Sequence, residues 1–191
     1  MLMILGTLAD AGAAAPDQLE ELLLDIAAGD REALSAFYDR TRRSVYGLAL
    51  SYLKNGHDAE DVTQDTYVRV WDTAPGYRPQ GKPMGWVLTI AKNFALMRLR
   101  RRGREQDLPQ EDWESLAVDS PAVTAEDRAV LQAALGALDD QERQAVLLHA
   151  VSGLKHREIA EILELPLPTV LSKYHRALKK LRKQLEGGDA L

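Results

Sequence analysis

The 191-residue chain contains no cysteine, which excludes disulfide bonds, zinc sites built on thiolates and a thiol redox switch. Its four histidines show no spacing typical of metal ligands. The G-x-S-x-G and P-loop motifs of common enzymes are absent as well. We therefore predict no metal, no cofactor and no catalytic activity, and an enzyme is the least favoured class of protein.

Long apolar runs are also missing, since none approaches the roughly 20 residues that span a bilayer. The first residues, MLMILGTLADAGAAAP, resemble a signal peptide only weakly, because they lack a basic start and are interrupted by Gly6, Thr7 and Asp10. We expect residues 1–16 to form a disordered extension and the protein to be cytoplasmic, without membrane insertion. With 46% hydrophobic residues, 28% charged residues and a net charge of -5, the chain is typical of one or two small globular domains.

Helix start and stop signals occur along most of the chain, whereas no strand pattern of useful length is present. They predict helices over 17–28, from Asp30 to about Asn55, from Asp58 to Thr73 and over 86–102, with a Pro/Gly-rich loop at 77–85. Composition then changes, because residues 105 to 127 include eight acidic residues and no Lys or Arg. This segment is typical of an extended linker.

A second helical block follows the acidic segment. We expect a helix over 125–138, then a helix that begins with a capping box of Asp139 and Glu142 and ends at Gly153, and then a final helix pair. The sequence therefore predicts an all-α protein of two small helical domains joined by an acidic linker. We place the first domain at 17–104, the linker at 105–124, the second domain at 125–186 and a tail at 187–191.

The final helix pair, HREIAEILELPLPTVLSKYHRALKKL from His156 to Leu181, is typical of a helix-turn-helix. At about 100° per residue, one side of the last helix is apolar and the other polar and basic. The apolar side contains Val170, Tyr174, Ala177, Leu178 and Leu181, and the polar side contains Thr169, Ser172, His175, Arg176, Lys179 and Lys183. Pro168 suits a first helical turn, whereas Glu164 stands where such turns usually have Gly. The pattern favours a helix that enters a DNA major groove over a helical hairpin with a solvated basic face.

The helix from Asp58 to Thr73 has an unusual polar side. Val68 lies in the middle of this side, among Asp61, Gln64 and Asp65. An apolar residue surrounded by acids indicates a contact surface for a basic partner. A solvated face with a single exposed Val explains the pattern equally well, because isolated apolar residues are common on protein surfaces.

The helix over 86–102 combines an aromatic start with a cluster of arginines at its end. One sector contains Trp86, Thr89, Lys92, Asn93 and Arg100, and the C-terminal end contains Arg98, Arg100, Arg101, Arg102 and Arg104. So many arginines exceed what the helix dipole favours, and they indicate phosphate binding. Trp86 suits stacking on an unpaired base, although taken alone it suits the core of the domain better.

Taken together, several segments resemble the extracytoplasmic-function (ECF) sigma factors of bacterial RNA polymerase. The resemblance runs from about Asp17 to Leu185 and includes GDREALSAFYDR, DAEDVTQDTYVRVW, GWVLTIAKNFALMRLRRR, LDDQERQAVLLHAVSGL and HREIAEILELPLPTV, in the family's order. It implies that the first domain is sigma region 2 and the second is sigma region 4. The implied partners are core RNA polymerase, through its beta-prime and beta subunits, promoter DNA and an anti-sigma factor. The free protein is expected to be a monomer.

The resemblance also assigns roles to individual residues. It implies that Asp61, Gln64, Asp65 and Val68 dock on the beta-prime coiled coil. It implies that the −10 promoter element is read and opened by Tyr77, Arg78, Trp86, Thr89, Lys92, Asn93, Arg100 and Arg101. It implies that the −35 element is read by Thr169, Ser172, Lys173, His175, Arg176 and Lys179. Because polymerase supplies most of the phosphate affinity, a sigma factor can carry a basic reading helix within an acidic chain.

Some residues depart from the family pattern and leave the promoter sequences open. Met97 stands where many relatives have Asp, Leu171 where Lys is common, Pro168 where Gly is common and Lys173 where Arg is frequent. A stand-alone helix-turn-helix repressor or activator is the main alternative. It explains the last helix but gives no role to the acidic face or to the arginine-rich helix, and it would bind a duplex operator without polymerase.

Overall fold

The computed structural model describes residues 16–105 and 133–186. Helices account for nearly all of these ranges, and no strand occurs within them. We label the helices α1 (Pro16–Ala27), α2 (Arg31–Leu53), α3 (Gly56–Thr73), α4 (Pro83–Glu105), α5 (Asp140–Ala150), α6 (His156–Leu163) and α7 (Leu167–Glu186). A 3-10 turn at Ala74–Gly76 follows α3, and residues 133–136 are helical ahead of α5. The predicted all-α class is confirmed.

Other parts of the sequence prediction lie outside the described residues. These are the N-terminal extension up to residue 15, most of the acidic linker, the first part of the helix expected over 125–138 and the tail at 187–191. Among the described helices, none is long and apolar enough to cross a membrane.

Helix α2 forms the centre of the first domain and packs against α1, α3 and α4. Its side chains Phe37, Val45 and Leu48 are at most 1% exposed. Burying a side chain of this size contributes about 1.5–3 kcal/mol. One side of α3 packs into this core, and its buried residues include Ala59, Val62 and Val70. The core therefore holds α3 and α4 in fixed positions, with the polar side of α3 facing outward.

The ends of the first-domain helices follow local capping chemistry. Helix α2 starts at the predicted position, and Asp30 caps it, because its carboxylate accepts hydrogen bonds from the backbone N–H groups of Glu32 and Ala33. The prediction that α3 begins at Asp58 is wrong, because the helix begins at Gly56. Asn55 is the cap, and its side-chain oxygen accepts from the N–H of Asp58 at 2.9 Å. This leaves the Asp58 carboxylate available for contacts with α4.

Helix α4 is longer than predicted at both ends. It begins at Pro83 rather than at Trp86, because proline is favoured in the first helical turn, where its missing N–H is not needed. It also continues through Gly103 to Glu105. The connection between the 3-10 turn and α4 is therefore shorter than the loop predicted over 77–85.

Helix α5 begins with the predicted capping box. The Asp139 carboxylate accepts from the Glu142 N–H at 2.8 Å, and Glu142 Oε2 accepts from the Asp139 N–H at 3.0 Å. Glu164 ends α6 in the left-handed conformation, with φ 56° and ψ 41°. Its backbone N–H bonds back to the last turn of α6, so the sharp turn forms without the usual glycine. Pro168 lies in the first turn of α7, as predicted.

The two sides predicted for α7 are confirmed. Val170, Ala177 and Leu181 are at most 4% exposed, and Tyr174 and Leu178 are half-buried. The side chains on the opposite side, from Ser172 to Lys183, are mostly exposed. The helix-turn-helix therefore presents a basic surface to solvent.

The two domains pack against each other. Leu148, Ile159 and Ile162 of the second domain join the same buried cluster as Phe37 and Leu88 of the first. The main contacts are between α2 and α5 and between α4 and α6. Polar contacts at the edge of this interface join Lys92 to Glu164, Lys82 to Glu161 and Lys54 to Asp140, at 2.7, 2.9 and 3.2 Å. Part of α4 is consequently covered by α6.

Candidate nucleic-acid and partner interfaces

The polar side of α3 forms an exposed surface around Val68, which is 64% exposed. Gln64 and Asp65 are exposed beside it. Asp61 is only half-buried, and its carboxylate accepts a hydrogen bond from Arg98 Nη2 at 2.8 Å. His57 Nδ1 lies 3.6 Å from the other oxygen of Asp61. The structure thus groups the four predicted docking residues, but Asp61 has an internal partner and Asp65 has the more open carboxylate.

Asp58 links the acidic helix to the arginine-rich helix, a role that the sequence prediction missed. It is 7% exposed and accepts from Arg98 through Nε at 3.1 Å and Nη2 at 2.7 Å. Arg102 forms an ion pair with its other oxygen. Two arginines of the predicted phosphate-binding cluster therefore fix α3 against α4. The i, i+4 spacing of Arg98 and Arg102 is the signal that could have indicated a shared acidic partner.

Arg100 and Arg101 point outward at the end of α4, and both are exposed. Thr89 and Asn93 are exposed on the same helix. Lys92 does not share this surface. It is 6% exposed and faces the second domain, where Nζ donates to the Ile162 carbonyl and the Glu164 carboxylate, both at 2.7 Å. At about 100° per residue, Lys92 lies some 100° around the helix from Asn93, which places it at the interface.

The segment between the 3-10 turn and α4 is held by a residue of α1. Glu20 Oε1 accepts from the Tyr77 hydroxyl at 2.9 Å and from the N–H groups of Gln80 and Gly81 at 2.9 and 3.0 Å. The Gly81 N–H and the Tyr77 hydroxyl lower the pKa of the Glu20 carboxyl. Burial and the Glu20 carboxylate raise the pKa of the Tyr77 hydroxyl. Glu20 therefore accepts these bonds as a carboxylate.

Trp86 lies in the first turn of α4, next to this segment. The Tyr77 ring packs edge-on against it, with ring centroids 5.1 Å apart and an interplanar angle of 63°. Trp86 is half-buried, so one part of the indole supports the core and another part reaches the surface. Arg78 is exposed nearby. The structure thus brings Tyr77, Arg78 and Trp86 together, with Thr89 and Asn93 further along α4.

The residues on the polar side of α7 differ in their exposure and in their hydrogen bonds. Ser172, His175, Arg176 and Lys179 are exposed, and Thr169 is half-buried at the start of the helix. Arg176 Nη2 donates to Ser172 Oγ at 3.2 Å. Lys173 departs from this group, because Nζ donates to Asp139 Oδ2 at 2.8 Å and its side chain is 18% exposed. Lys173 ties α7 to the start of α5 in this conformation.

A cluster of aromatic and imidazole rings lies beneath α7 and was not predicted. The rings of His149 and His156 are 4.6 Å apart, and Tyr174 packs edge-on against both. His149 Nδ1 lies 2.9 Å from the Leu154 carbonyl. Burial, followed by the nearby His149 and His175, lowers the pKa of His156. Within the described residues, no group of three or more His, Asp or Glu is arranged to hold a metal ion.

A helical domain with an exposed acidic side on one helix, followed by a helix-turn-helix with an exposed basic side, is typical of DNA-binding proteins that act in transcription. Two family models match the chain, Sigma-70 region 2 over residues 37–105 and Sigma-70 region 4 over residues 128–181. The ECF RNA polymerase sigma factor SigK of Mycobacterium ulcerans is 34% identical over 177 residues, which cover 89% of this chain and 95% of SigK. SigK of Mycolicibacterium vanbaalenii is 33% identical over 176 residues, which cover 88% and 89%.

Solved structures agree with these matches. The sigma factor RpoE of Bartonella quintana, in complex with the anti-sigma factor NepR, has a TM-score of 0.67 at 25% identity and covers 80% of this chain and 96% of RpoE. CnrH, in complex with the cytosolic domain of CnrY, shares the fold, with a TM-score of 0.60 at 24% identity and coverage of 89% and 98%. The chain belongs to the ECF family of RNA polymerase sigma factors.

Proposed function

We propose that the chain binds core RNA polymerase and directs it to promoters whose −10 and −35 elements it reads. The observation that carries this proposal is the exposure of Val68, at 64%, on the acidic side of a helix whose other side is fully packed. Single exposed apolar residues are common on protein surfaces, but in a chain that matches Sigma-70 region 2 this one favours a docking surface. A protein that must dock on a basic partner through one helix needs an apolar centre with a polar rim.

Helix α3 is the proposed polymerase contact. Gln64, Asp65 and Val68 supply the open part of the surface, and Asp61 supplies charge at its edge. A basic partner such as the beta-prime coiled coil fits this chemistry, because opposite charges steer the encounter and the apolar residue is buried on docking. The hydrogen bond from Arg98 to Asp58 supports this role, because it fixes α3 against α4 and so keeps the docking surface in place.

The start of α4 and the segment before it are the proposed −10 contact. A half-buried indole beside exposed amide and hydroxyl groups suits an unstacked base of the non-template strand. Trp86 offers the stacking surface, and Thr89 and Asn93 offer hydrogen-bond partners further along the same side of α4. Arg78, Arg100 and Arg101 supply phosphate contacts along the strand. Tyr77 contributes through Trp86, because its hydroxyl already donates to Glu20. Lys92 reaches DNA only if the second domain moves away from α4.

Helix α7 is the proposed −35 contact. Ser172, His175, Arg176 and Lys179 form one exposed strip that a major groove can accept, with Thr169 at the N-terminal end. Arginine is the residue that most often reads guanine, through paired hydrogen bonds to O6 and N7. Lys173 joins this contact only if it leaves Asp139, and otherwise it supports the position of α7.

An anti-sigma factor is the proposed regulator. RpoE of Bartonella quintana was solved with the anti-sigma factor NepR, and its structure has a TM-score of 0.67 to this chain. A regulator that covers the Val68 surface would prevent polymerase docking, because both partners need the same apolar centre. No catalytic step, cofactor or membrane insertion belongs to this function, and the protein would act in the cytoplasm.

In vitro transcription with core polymerase and a promoter library tests the proposal. We expect transcripts that depend on the chain and lose intensity when either promoter element is changed, whereas core polymerase alone gives none. Gel-shift measurements with the chain alone provide the comparison with a repressor or activator. Tight binding to a duplex site without polymerase, together with no promoter-dependent transcripts, would favour that alternative.

A further inference from the structure

Glu20 joins the first helix to a segment some 60 residues further along the chain. A single carboxylate oxygen accepts from the Tyr77 hydroxyl and from two consecutive backbone N–H groups, those of Gln80 and Gly81. Gly81 has a φ of 67°, a conformation that favours glycine and turns its N–H toward the carboxylate. The segment from Tyr77 to Lys82 lies outside any helix. These hydrogen bonds to Glu20 therefore fix its backbone conformation in place of helical hydrogen bonds.

The same oxygen also acts on Trp86 through Tyr77. The hydroxyl of Tyr77 is held by Glu20, and its ring packs edge-on against the indole at 5.1 Å. Edge-to-face ring pairs have a preferred geometry, so fixing one ring restricts the other. Hydrogen bonds to an ionised carboxylate are roughly twice as strong as neutral ones, which makes Glu20 well suited to this task.

A carboxylate beside a DNA-binding surface needs a reason to be there, since it repels phosphate. The three hydrogen bonds that Glu20 accepts explain why the carboxylate is there. They stabilise its negative charge, and they fix the conformation of the segment next to the indole. We infer that Glu20 is a positioning residue for −10 recognition, which holds residues 77–82 and the Trp86 ring in the arrangement that meets the displaced strand. This inference rests on the proposed function. Ordering these groups before DNA arrives lowers the entropic cost of binding.

Glu21 offers a matched control, because it is the next residue on α1, is exposed and carries the same charge. We would compare Glu20→Ala with Glu21→Ala by transcription from promoters with wild-type and altered −10 elements. Glu20→Ala should lower the preference for the wild-type element by about tenfold, the scale of losing hydrogen bonds to a charged group. Polymerase binding and dependence on the −35 element should match those of Glu21→Ala. Glu20→Gln keeps one acceptor oxygen and should restore part of the preference.

Several outcomes would overturn the inference. One is an equal fractional loss on both promoters, which indicates that Glu20 only stabilises the domain. Another is a Glu20→Ala chain that behaves like Glu21→Ala. If Glu20→Ala does not fold, Tyr77→Phe carries the test, since it removes one of the three bonds and should lower the preference by a smaller factor. An unchanged −10 preference in Tyr77→Phe would then count against the inference.

Fluorine NMR separates this inference from the proposed function. In a chain labelled with 5-fluorotryptophan, the Trp86 resonance is assigned by its loss in Trp86→Phe. Glu20→Ala should shift or broaden that resonance, whereas Glu21→Ala should leave it in place. A shift without any promoter-dependent transcription from the wild-type chain would support positioning of Trp86 and refute the promoter function. An unmoved resonance would refute the positioning itself.

Discussion

The Lys92 ammonium donates to the Glu164 carboxylate and to the Ile162 carbonyl, each at 2.7 Å, and so joins the two domains. Glu164 stands in the left-handed conformation where a glycine is usual in such turns. Glycine would adopt this backbone more easily but would leave Lys92 without a carboxylate. Glu164, in place of the expected glycine, therefore provides a side-chain contact between the domains that glycine cannot make.

We predict that Lys92→Met shifts the chain toward separated domains. The side chain is 7% exposed, so the substitution keeps the apolar packing and removes two hydrogen bonds across the interface. A net loss of about 1 kcal/mol or more corresponds to a several-fold change in the ratio of closed to open chains. Energy transfer between dyes on the two domains measures this ratio. Glu161→Gln is the control, because the Lys82–Glu161 pair is solvent-exposed and such pairs contribute little. Equal transfer in wild-type and Lys92→Met chains would contradict the prediction.

The polymerase contact is tested most directly on the polar side of α3. We expect the double variant Asp61→Arg with Asp65→Arg to lose association with core polymerase while keeping its helical content. Val68→Asp should have a similar effect, because it places a charge at the apolar centre of the surface. Co-purification with core polymerase and circular dichroism measure the two properties. The control is Asp25→Arg with Asp39→Arg, which makes the same charge change at two exposed acids on α1 and α2 and should bind normally. Undiminished binding of the double variant would refute the assignment.

Trp86→Ala should reduce opening of the promoter more than it reduces polymerase binding. Stacking of one base contributes about 1–3 kcal/mol, so open complexes should fall by about tenfold or more. Permanganate reactivity of the −10 region measures them, with Asn93→Ala as a second variant on the same exposed part of α4. Unchanged reactivity, or a general loss of folding, would indicate that the indole serves only the core.

How much could be predicted from the sequence depends on the distance between partners. The capping box of Asp139 and Glu142 and the two sides of α7 follow from residues within a few positions, and both were predicted correctly. The Asp58–Arg98 contact, the Glu20 bonds and the Lys92–Glu164 pair join residues 40 to 72 positions apart. Helix periodicity gives the direction of a side chain but not the element that it meets. For this reason Lys92 was placed on the DNA side, although α6 covers it.

Acidification should destabilise the second domain through His156. Burial is the main cause that lowers the pKa of this imidazole in the folded chain. Repulsion from the nearby His149 and His175 lowers it further. A base with a lowered folded pKa stabilises the fold fully above its unfolded pKa of about 6.5, and this stability is lost as the pH falls below that value. We expect melting temperatures to fall between pH 7.5 and pH 5.5. His156→Phe keeps the ring contact with Tyr174 and should show a smaller fall. An equal fall in both chains would assign the effect to other groups.

The −35 contact can be separated into base reading and phosphate binding at Arg176. Arg176 is exposed, and its Nη2 donates a hydrogen bond to Ser172 Oγ at 3.2 Å. The guanidinium therefore lies at the centre of the strip. Arg176→Ala should weaken recognition by about 1–3 kcal/mol if the contact is paired to a guanine, without lowering thermal stability. Tyr174→Ala differs, because Tyr174 is half-buried against His149 and His156 and its loss should destabilise the domain. Truncating a fully buried aromatic costs about 3–5 kcal/mol, so a half-buried ring should cost less.

Transcription from matched wild-type and −35-altered promoters decides what Arg176 reads. If its side chain contacts a base there, changing that base pair should erase the Arg176→Ala defect, because the variant and the wild-type chain then lack the same bond. Thermal melting of both chains provides the control for folding. An equal fractional loss on both promoters would show that Arg176 contacts phosphate only. Base reading would then pass to Ser172, His175 or Lys179, the other exposed side chains of the strip, and the same pair of promoters would test each of them in turn.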